Sequence, residues 1–296
     1  MRIGVDLGGT KTEAVVLDKD GSIRARTRRP TPADQGYEAI LDNVVEMVHE
    51  LEVEHGIGAR IGVGTPGSLS QRTGRLKNSN TTSLNDRPIK TDLESRLDRQ
   101  IRIDNDANCF ALSEAVDGAG RGHRVVFGII MGTGVGGGIV IEHRVLNGRN
   151  RIAGEWGHNV LDPNGPPCYC GKRGCIETFL SGPGLARDYA AQGDQTGVDA
   201  KRIVRRAEKG EPEAIAAMDR FIGRFGLALS MVVNILDPDI IVLGGGLSNI
   251  DRLYTDGRDH LAQAVFNDDF TTPLVRNVHG DSAGVLGAAC LWPDDM

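Results

Sequence analysis

Apolar positions along this chain follow two periods, and the switches between them outline the fold. Ile3 and Val5 open an alternating strand over residues 2–7, and a second strand follows over residues 12–18 after a Gly8-Gly9 turn. Asp18-Lys19-Asp20-Gly21 predicts another turn, leading to a third strand from Ser22 to about Arg28. The period then lengthens. Tyr37, Ile40, Leu41, Val44, Val45, Val48 and Leu51 form the stripe of an amphipathic helix. Short β-branched runs at residues 60–63 and 101–103 predict further strands, and residues 107–116 carry helical spacing with good helix formers. The same logic restarts downstream with a strand over 125–131, a returning strand over 139–142 and a long helix over 214–236. That helix places Ile215, Met218, Phe221, Ile222, Phe225 and Leu229 on one stripe, and a buried-type strand follows over 239–243.

Glycine punctuates this pattern. The clusters Gly8-Gly9, Gly62 to Gly67, Gly132 to Gly138 and Gly244-Gly245-Gly246 each follow a β-branched run. Each therefore reads as a strand ending in a loop where backbone approaches something closely. Two strand–glycine-loop–strand units, at 2–18 and 125–142, predict a duplicated α/β fold with a cleft between its halves. The expected domains are residues 1–120 and 121–281, with a hinge near Ala119–His123. The last helix, within 282–296, is expected to cross back onto the first domain.

Composition narrows the function classes. A formal net charge of −6 over 296 residues argues against a phosphate-backbone partner. Apolar runs such as Val125 to Met131 are far too short to span a bilayer. No charged n-region with an apolar h-region opens the chain, so no secretory signal is read. Three of the five cysteines are clustered, which fits a metal site in a reducing cytoplasm better than a disulfide framework. Cys109 and Cys290 lie in apolar surroundings and read as buried small hydrophobes.

Candidate chemistry sits on the glycine loops. Asp6-Leu7-Gly8-Gly9-Thr10-Lys11-Thr12 offers a carboxylate, two backbone-exposing glycines and a hydroxyl, which suit a metal-bound phosphate chain. A plain hairpin turn is the alternative. Gly132-Thr133-Gly134-Val135-Gly136-Gly137-Gly138 is its counterpart in the second half and contains no Walker pattern. Gly244 to Gly246 would meet an adenosine by close backbone approach, or simply make a tight strand-to-helix turn. Asn105-Asp106 stands where a strand hands over to a helix. Asp106 is there either an N-cap or a catalytic base facing a ligand crevice. Gly154-Glu155-Trp156-Gly157-His158 precedes Cys168-Tyr169-Cys170 and Cys175, a Cys3His set able to close a tetrahedral zinc site. Zinc on one imidazole nitrogen would fix the other as an N–H donor suited to a sugar hydroxyl, and would hold Glu177 rigidly.

These segments together resemble the ROK family of bacterial sugar kinases and repressors, over essentially the whole chain. The resemblance implies an actin-like, hexokinase-like ATPase fold of two α/β domains. It implies Asp106 as catalytic base, with Gly67, Asn80, Asn105, Glu155, His158 and Glu177 on a hexose. It implies ATP-phosphate contacts from Gly4, Val5, Asp6, Leu7, Gly8, Gly9, Thr10 and Lys11, and from Thr133, Gly134, Val135, Gly136, Gly137, Gly138, Ile139 and Val140. Gly244 and Gly245 would serve the adenosine end. Structural zinc would sit on His158, Cys168, Cys170 and Cys175, with Mg²⁺ accompanying ATP.

Within the family, Lys77-Asn78-Ser79-Asn80-Thr81, Ala115-Val116-Asp117-Gly118 and the run from Pro167 to Phe179 most resemble fructokinases that also accept mannose. The implied reaction is phosphorylation of the fructose 6-hydroxyl, with N-acetylglucosamine kinase or glucokinase as alternatives. Partners are then a hexose and ATP, with a second copy of the chain as the candidate protein partner, and neither nucleic acid nor membrane. A repressor of the same family would need a helix-turn-helix ahead of the first core strand. An actin-like assembly protein would not need the zinc loop.

Overall fold

Two five-stranded mixed sheets organise the chain in a computed structural model that describes residues 1–193 and 196–292. The first contains β1 (Arg2–Leu7), β2 (Lys11–Leu17), β3 (Ile23–Pro30), β4 (Arg60–Thr65) and, later in the chain, a strand at Ile101–Asn105. A small hairpin of β5 (Ser68–Leu69) and β6 (Leu76–Lys77) follows β4, so the strand at Ile101–Asn105 is β7. The order is β3-β2-β1-β4-β7, with β1, β4 and β7 parallel. Register places Asp6 beside Gly64 and Thr65 beside Asn105. The carboxyl ends of the parallel strands thus share one edge, where ligands bind in open α/β sheets.

Helix α1 (Tyr37–His55) buries Tyr37, Ile40, Leu41, Val44, Met47, Val48 and Leu51 against this sheet's core. Val45 of the predicted stripe is only partly buried, and Met47 is buried instead. The left-handed C-cap Gly56 closes the helix. Helix α2 (Ile89–Leu97) buries Ile89, Leu93 and Leu97, and α3 (Asp106–Asp117) follows β7 directly.

The second sheet is ordered β10-β9-β8-β11-β12, from β8 (Val125–Met131), β9 (Val135–Ile141), β10 (Arg144–Val145), β11 (Ile240–Gly244) and β12 (Leu274–Arg276). Strand β9 starts at Val135, ahead of the expected residue 139. Its glycines belong to pleated backbone: a Cβ on Gly137 would come within 2.8 Å of the Trp156 ring, and one on Gly138 within 2.7 Å of the Ala107 carbonyl. Helices α4 (Glu177–Leu180), α5 (Gly182–Ala190), α6 (Ala200–Glu208), α7 (Pro212–Leu236) and α8 (Asp256–Ala264) complete this half. Pro212 stands at the start of α7, where its missing N–H costs nothing, and buried Ala214, Met218, Phe221, Ile222, Phe225 and Leu229 face the core. Ile215 of the predicted stripe is exposed.

The chain divides into two units, one of Met1–Gly122, Gly138–Ala153 and the segment from Val278, the other of His123–Gly137 and Gly154–Asn277. Residues 138–153 group with the first unit, where Asn147 Nδ2 donates to Asp104 Oδ2 at 3.0 Å. Helix α9 (Ala283–Cys290) packs on β1, β4 and α3 of that unit. Gly4, Gly62 and Gly287 permit this approach, since a Cβ on each would overlap the carbonyl of Val285, Ala288 or Cys109. Trp292 then donates to the Ile61 carbonyl at 2.7 Å beneath the Arg102 guanidinium. Residues 293–296 of the expected C-terminal segment lie outside the described residues.

Buried Glu114 on α3 accepts from the amides of Ala119 at 2.9 Å and His279 at 3.0 Å. A carboxylate near a helix C-terminus opposes the helix dipole, so these backbone donors are what stabilise it there. Among the described residues no helix is long and apolar enough to cross a membrane.

Candidate functional site

In the first unit the turn between β1 and β2 is closed by the Gly8 amide donating to the Lys11 carbonyl at 3.0 Å. Thr31 Oγ1 donates to the Gly8 carbonyl at 2.7 Å and meets Thr12 Oγ1 at 2.9 Å, so the turn is braced by the residue just after β3. A Cβ on Gly8 would lie 2.8 Å from the Lys11 carbonyl, and one on Gly9 3.0 Å from Thr81 Oγ1. Backbone excludes a side chain at Gly8, whereas at Gly9 the Thr81 hydroxyl would have to give way slightly. Thr81 Oγ1 is buried and has no hydrogen-bond partner, an orphaned group beside the turn. Gly9 and Thr10 are exposed, whereas Gly4, Val5 and Leu7 are buried sheet positions.

Asp6 is the penultimate residue of β1, with Gly284 of α9 close against its carboxylate. Burial, and then the negative charges of Asp106 and Glu13, push the Asp6 carboxyl up to about 7. Glu13 is itself buried but paired with Arg26 and Arg28. Asp6 and Asp106 are thus acidic neighbours at this edge of the sheet.

Asn105 is the N-cap of α3. Its Oδ1 accepts from the Ala107 amide at 2.9 Å, and its Nδ2 donates to the Gly67 carbonyl at 3.1 Å. The cap thus falls on Asn105, while exposed Asp106, the first helical residue, also accepts from Ala107 at 2.8 Å. Asp104 holds the turn from below, accepting from the Asn105 amide and from Asn108, each at 2.8 Å. Gly67 has φ of +85°, and its Cα lies too close to the Lys77 carbonyl for any side chain. Exposed Asn80 brings Oδ1 to 3.9 Å from where a Gly9 Cβ would stand. Gly67, Asn80, Asn105 and Asp106 thus gather near the glycine turn, on one edge of one sheet.

The second unit assembles its own set. The loop after β8 is short: Gly132 donates to the Gly134 carbonyl at 2.9 Å, and the Gly182 amide donates back to Gly132 at 2.7 Å. Glu177 Oε2 accepts from the Val135 amide at 2.9 Å. Gly157 lies so close to the Val135 carbonyl that a Cβ would overlap it. Thr133 to Gly136 therefore neighbour Trp156-Gly157-His158 and Glu177, while Gly137, Ile139 and Val140 continue β9. Gly245, with φ of +78°, packs against the Met131 carbonyl at the end of β8, and Ser248 Oγ donates to its carbonyl at 2.7 Å. That gives Gly245 a packing reason of its own.

His158, Cys168, Cys170 and Cys175 bring their donor atoms within 4.8 Å of one another. His158 Nδ1 is 3.5 Å from Cys168 Sγ, and Cys170 Sγ is 3.6 Å from Cys175 Sγ. Tetrahedral zinc with ordinary bond lengths sets such edges at about 3.5 Å and about 3.8 Å, so the donor set fits the ion. The sulfurs are too far apart for a disulfide, which needs about 2.0 Å. Burial, then its hydrogen bonds to the other two sulfurs, push the Cys175 thiol up to about 12. Ionising it takes a cation. His158 Nε2 meets Tyr169 Oη at 2.9 Å, a partner that sequence spacing did not reveal. Desolvation of that hydroxyl, then the charges of Glu177, Cys168 and Glu155, push Tyr169 up to about 12.

Residues 2–295 match the sequence profile of the ROK family. An N-acetyl-D-glucosamine kinase of Salmonella newport (strain SL254) is 38% identical over 305 residues, covering 100% of both chains. Among solved structures, a ROK hexokinase from Thermus thermophilus is 35% identical with a TM-score of 0.88, over 98% of this chain and 97% of that one. A ROK family glucokinase from Streptomyces griseus, solved with glucose and AMPPNP, is 30% identical with a TM-score of 0.77, over 98% of each chain. With this profile match from end to end and the hexokinase-like pair of mixed sheets, the chain belongs to the ROK family.

Proposed function

We propose that this chain is an ATP-dependent hexose kinase that phosphorylates the 6-hydroxyl of its acceptor, with N-acetyl-D-glucosamine as the first candidate sugar. The observation that carries it is the 38% identity, over the full length of both chains, to N-acetyl-D-glucosamine kinase. Fructose, favoured by the runs Lys77–Thr81, Ala115–Gly118 and Pro167–Phe179, becomes the second reading.

Phosphoryl transfer needs positioning and charge stabilisation more than covalent chemistry. In this reading Asp106 accepts the proton of the attacking hydroxyl, held at a strand end by Asn105 and Asp104. Asn80, Asn105, Glu155, His158, Glu177 and the Gly67 backbone are the groups read as binding acceptor hydroxyls. Backbone amides of Gly8 to Lys11 and of Thr133 and Gly134 cradle phosphates, and Gly244-Gly245 admits the adenosine. Asp6, with Asp106 as an acidic neighbour, would hold Mg²⁺. Bound with ATP, that ion neutralises charge developing on the transferred group. The Cys3His set would hold zinc with no open position, a structural role that stiffens the loop carrying Glu177.

A coupled assay of ADP release over N-acetylglucosamine, fructose, mannose and glucose tests this. The highest kcat/KM on N-acetylglucosamine supports the first reading, and on fructose the second. No turnover on any hexose would overturn the kinase assignment.

A further inference from the structure

We propose that Thr81 is a further substrate-binding residue, whose hydroxyl donates to an oxygen of the phosphoryl group that is transferred. The inference rests on the reading of the Gly8–Lys11 turn as a phosphate cradle and adds a side chain that reading does not include.

Thr81 is 7% exposed, and its Oγ1 has no hydrogen-bond partner. The backbone of the residue is engaged at both ends. Its amide donates to Ser79 Oγ at 3.1 Å, and its carbonyl accepts from the Leu84 amide at 3.0 Å. Thr81 also stands at the N-cap of the short 3-10 helix Thr82–Leu84, where a threonine oxygen ordinarily accepts from a backbone amide, yet it makes no such bond. The local use open to this side chain is left aside. An unpaired buried hydroxyl destabilises the ligand-free fold, and a partner from outside the chain removes that penalty.

Geometry says where such a partner enters. Oγ1 lies 3.0 Å from the position of a Cβ on Gly9, the exposed glycine of the turn between β1 and β2. The hydroxyl therefore borders the hollow that the missing side chain leaves open. Its own loop is stapled in place. Asn85 Oδ1 accepts from the Ser79 amide at 2.9 Å, and Asn85 Nδ2 donates to the Ser79 carbonyl at 2.8 Å. Asn80 Oδ1 lies 3.9 Å from the same point at Gly9. The residue read as a sugar contact and the turn read as a phosphate cradle thus meet at Thr81, where a group passing between nucleotide and sugar would lie. A phosphoryl oxygen can only accept, and Thr81 has one proton to give, so the direction of the bond is fixed. Its charge makes that bond one of the stronger kind.

Thr81→Val keeps the shape and removes the hydroxyl, and Thr81→Ser keeps the hydroxyl. Binding of Mg²⁺-AMPPNP, Mg²⁺-ADP, N-acetylglucosamine, fructose and the two hexose 6-phosphates is measured calorimetrically, and urea midpoints are taken without ligand. The Val variant should lose about tenfold or more in affinity for AMPPNP or for the hexose 6-phosphates, as expected for one hydrogen bond to a charged acceptor. ADP and the free hexoses should bind within about twofold of wild type, and the Ser variant should stay within about threefold for every ligand. Without ligand, the Val variant should resist urea at least as well as wild type, because no bond of the fold has been removed. A loss for AMPPNP assigns the contact to the nucleotide before transfer, and a loss confined to the hexose 6-phosphates assigns it to the product; both support the proposal. Unchanged affinity for all the phosphorylated ligands would overturn it and leave the hydroxyl to solvent. So would an equal loss for ADP, which lacks the transferred group, or a loss for the free hexoses, which would put the hydroxyl on the acceptor. A Val variant clearly weaker in urea would also overturn it, by showing that the hydroxyl has a partner within the fold. Wild-type protein that binds neither AMPPNP nor any hexose would defeat the kinase reading itself, whereas wild-type binding with an indifferent Val variant defeats only the role of Thr81.

Discussion

Glu177 and Val135 are joined by a hydrogen bond of 2.9 Å, the carboxylate of the metal loop accepting from the first residue of β9. Gly157 packs on the carbonyl of the same Val135. Three segments that are separate in sequence, the glycine loop, the Glu155–His158 turn and the segment just after the cysteine loop, therefore meet at one residue.

That contact separates two roles of Glu177. Replacement by Ala leaves the buried Val135 amide unpaired, at about 1–3 kcal/mol, and should lower the urea midpoint together with activity. Replacement by Gln keeps an acceptor oxygen and most of the stability. If the carboxylate also binds sugar, kcat/KM in the Gln variant should still fall roughly tenfold or more, because hydrogen bonds to a charged acceptor are the stronger ones.

Asp106→Asn should nearly abolish turnover while sugar affinity changes little. The amide keeps the shape and can still accept from Ala107, but it cannot take the hydroxyl proton. The expected loss in kcat is on the order of 10²–10⁴-fold, the usual worth of a general base. Activity within a few-fold of wild type would reduce Asp106 to a helix-terminal carboxylate.

Metal analysis should find one zinc per chain, and a strong chelator should lower both the melting temperature and sugar affinity. Because Cys175 is held protonated without a metal, reloading zinc at neutral pH should release protons, measurable in weakly buffered solution. Full stability after verified zinc removal would contradict a structural role for the cluster.

Asp6 gives a pH signature in the protein without nucleotide. Its folded carboxyl titrates near 7 against an ordinary value of 3.8, so between those values the folded state holds a proton that the unfolded state has lost. Its stabilising contribution is complete below about 4 and declines as pH rises toward 7. Urea midpoints for wild type should therefore fall across this window relative to Asp6→Asn, which has no titrating group there. Parallel profiles for the two proteins would contradict the raised value. Lys11 and Arg28 oppose the shift, and removing either charge should extend the decline to higher pH.

The sequence by itself determined what depends on near neighbours. The strands at 2–7 and 125–131, the helices at 37–55 and 212–236, and the strand-to-helix step at Asn105-Asp106 all follow from local periodicity and turn residues. The metal cluster was legible for the same reason, since His158 and Cys175 stand within eighteen positions and the chain between them need only fold back on itself. Helix α2 carries the same kind of local signal, with Ile89, Leu93 and Leu97 at successive turns.

Tertiary structure decided whatever needed a partner from far along the chain. Gly137 and Gly138 look like loop residues until Trp156 and α3 arrive to demand close packing. Asn105 becomes the cap, in preference to Asp106, only once the Gly67 carbonyl is there to receive its amide. The 138–153 excursion was hidden because it is held by Asn147 on Asp104, a bond across 43 positions. Tyr169 is a bland spacer between two cysteines until folding sets its hydroxyl against His158. A side chain's type and spacing limit what it can bond, but its actual partner depends on which segments packing brings to it, and no local pattern records that.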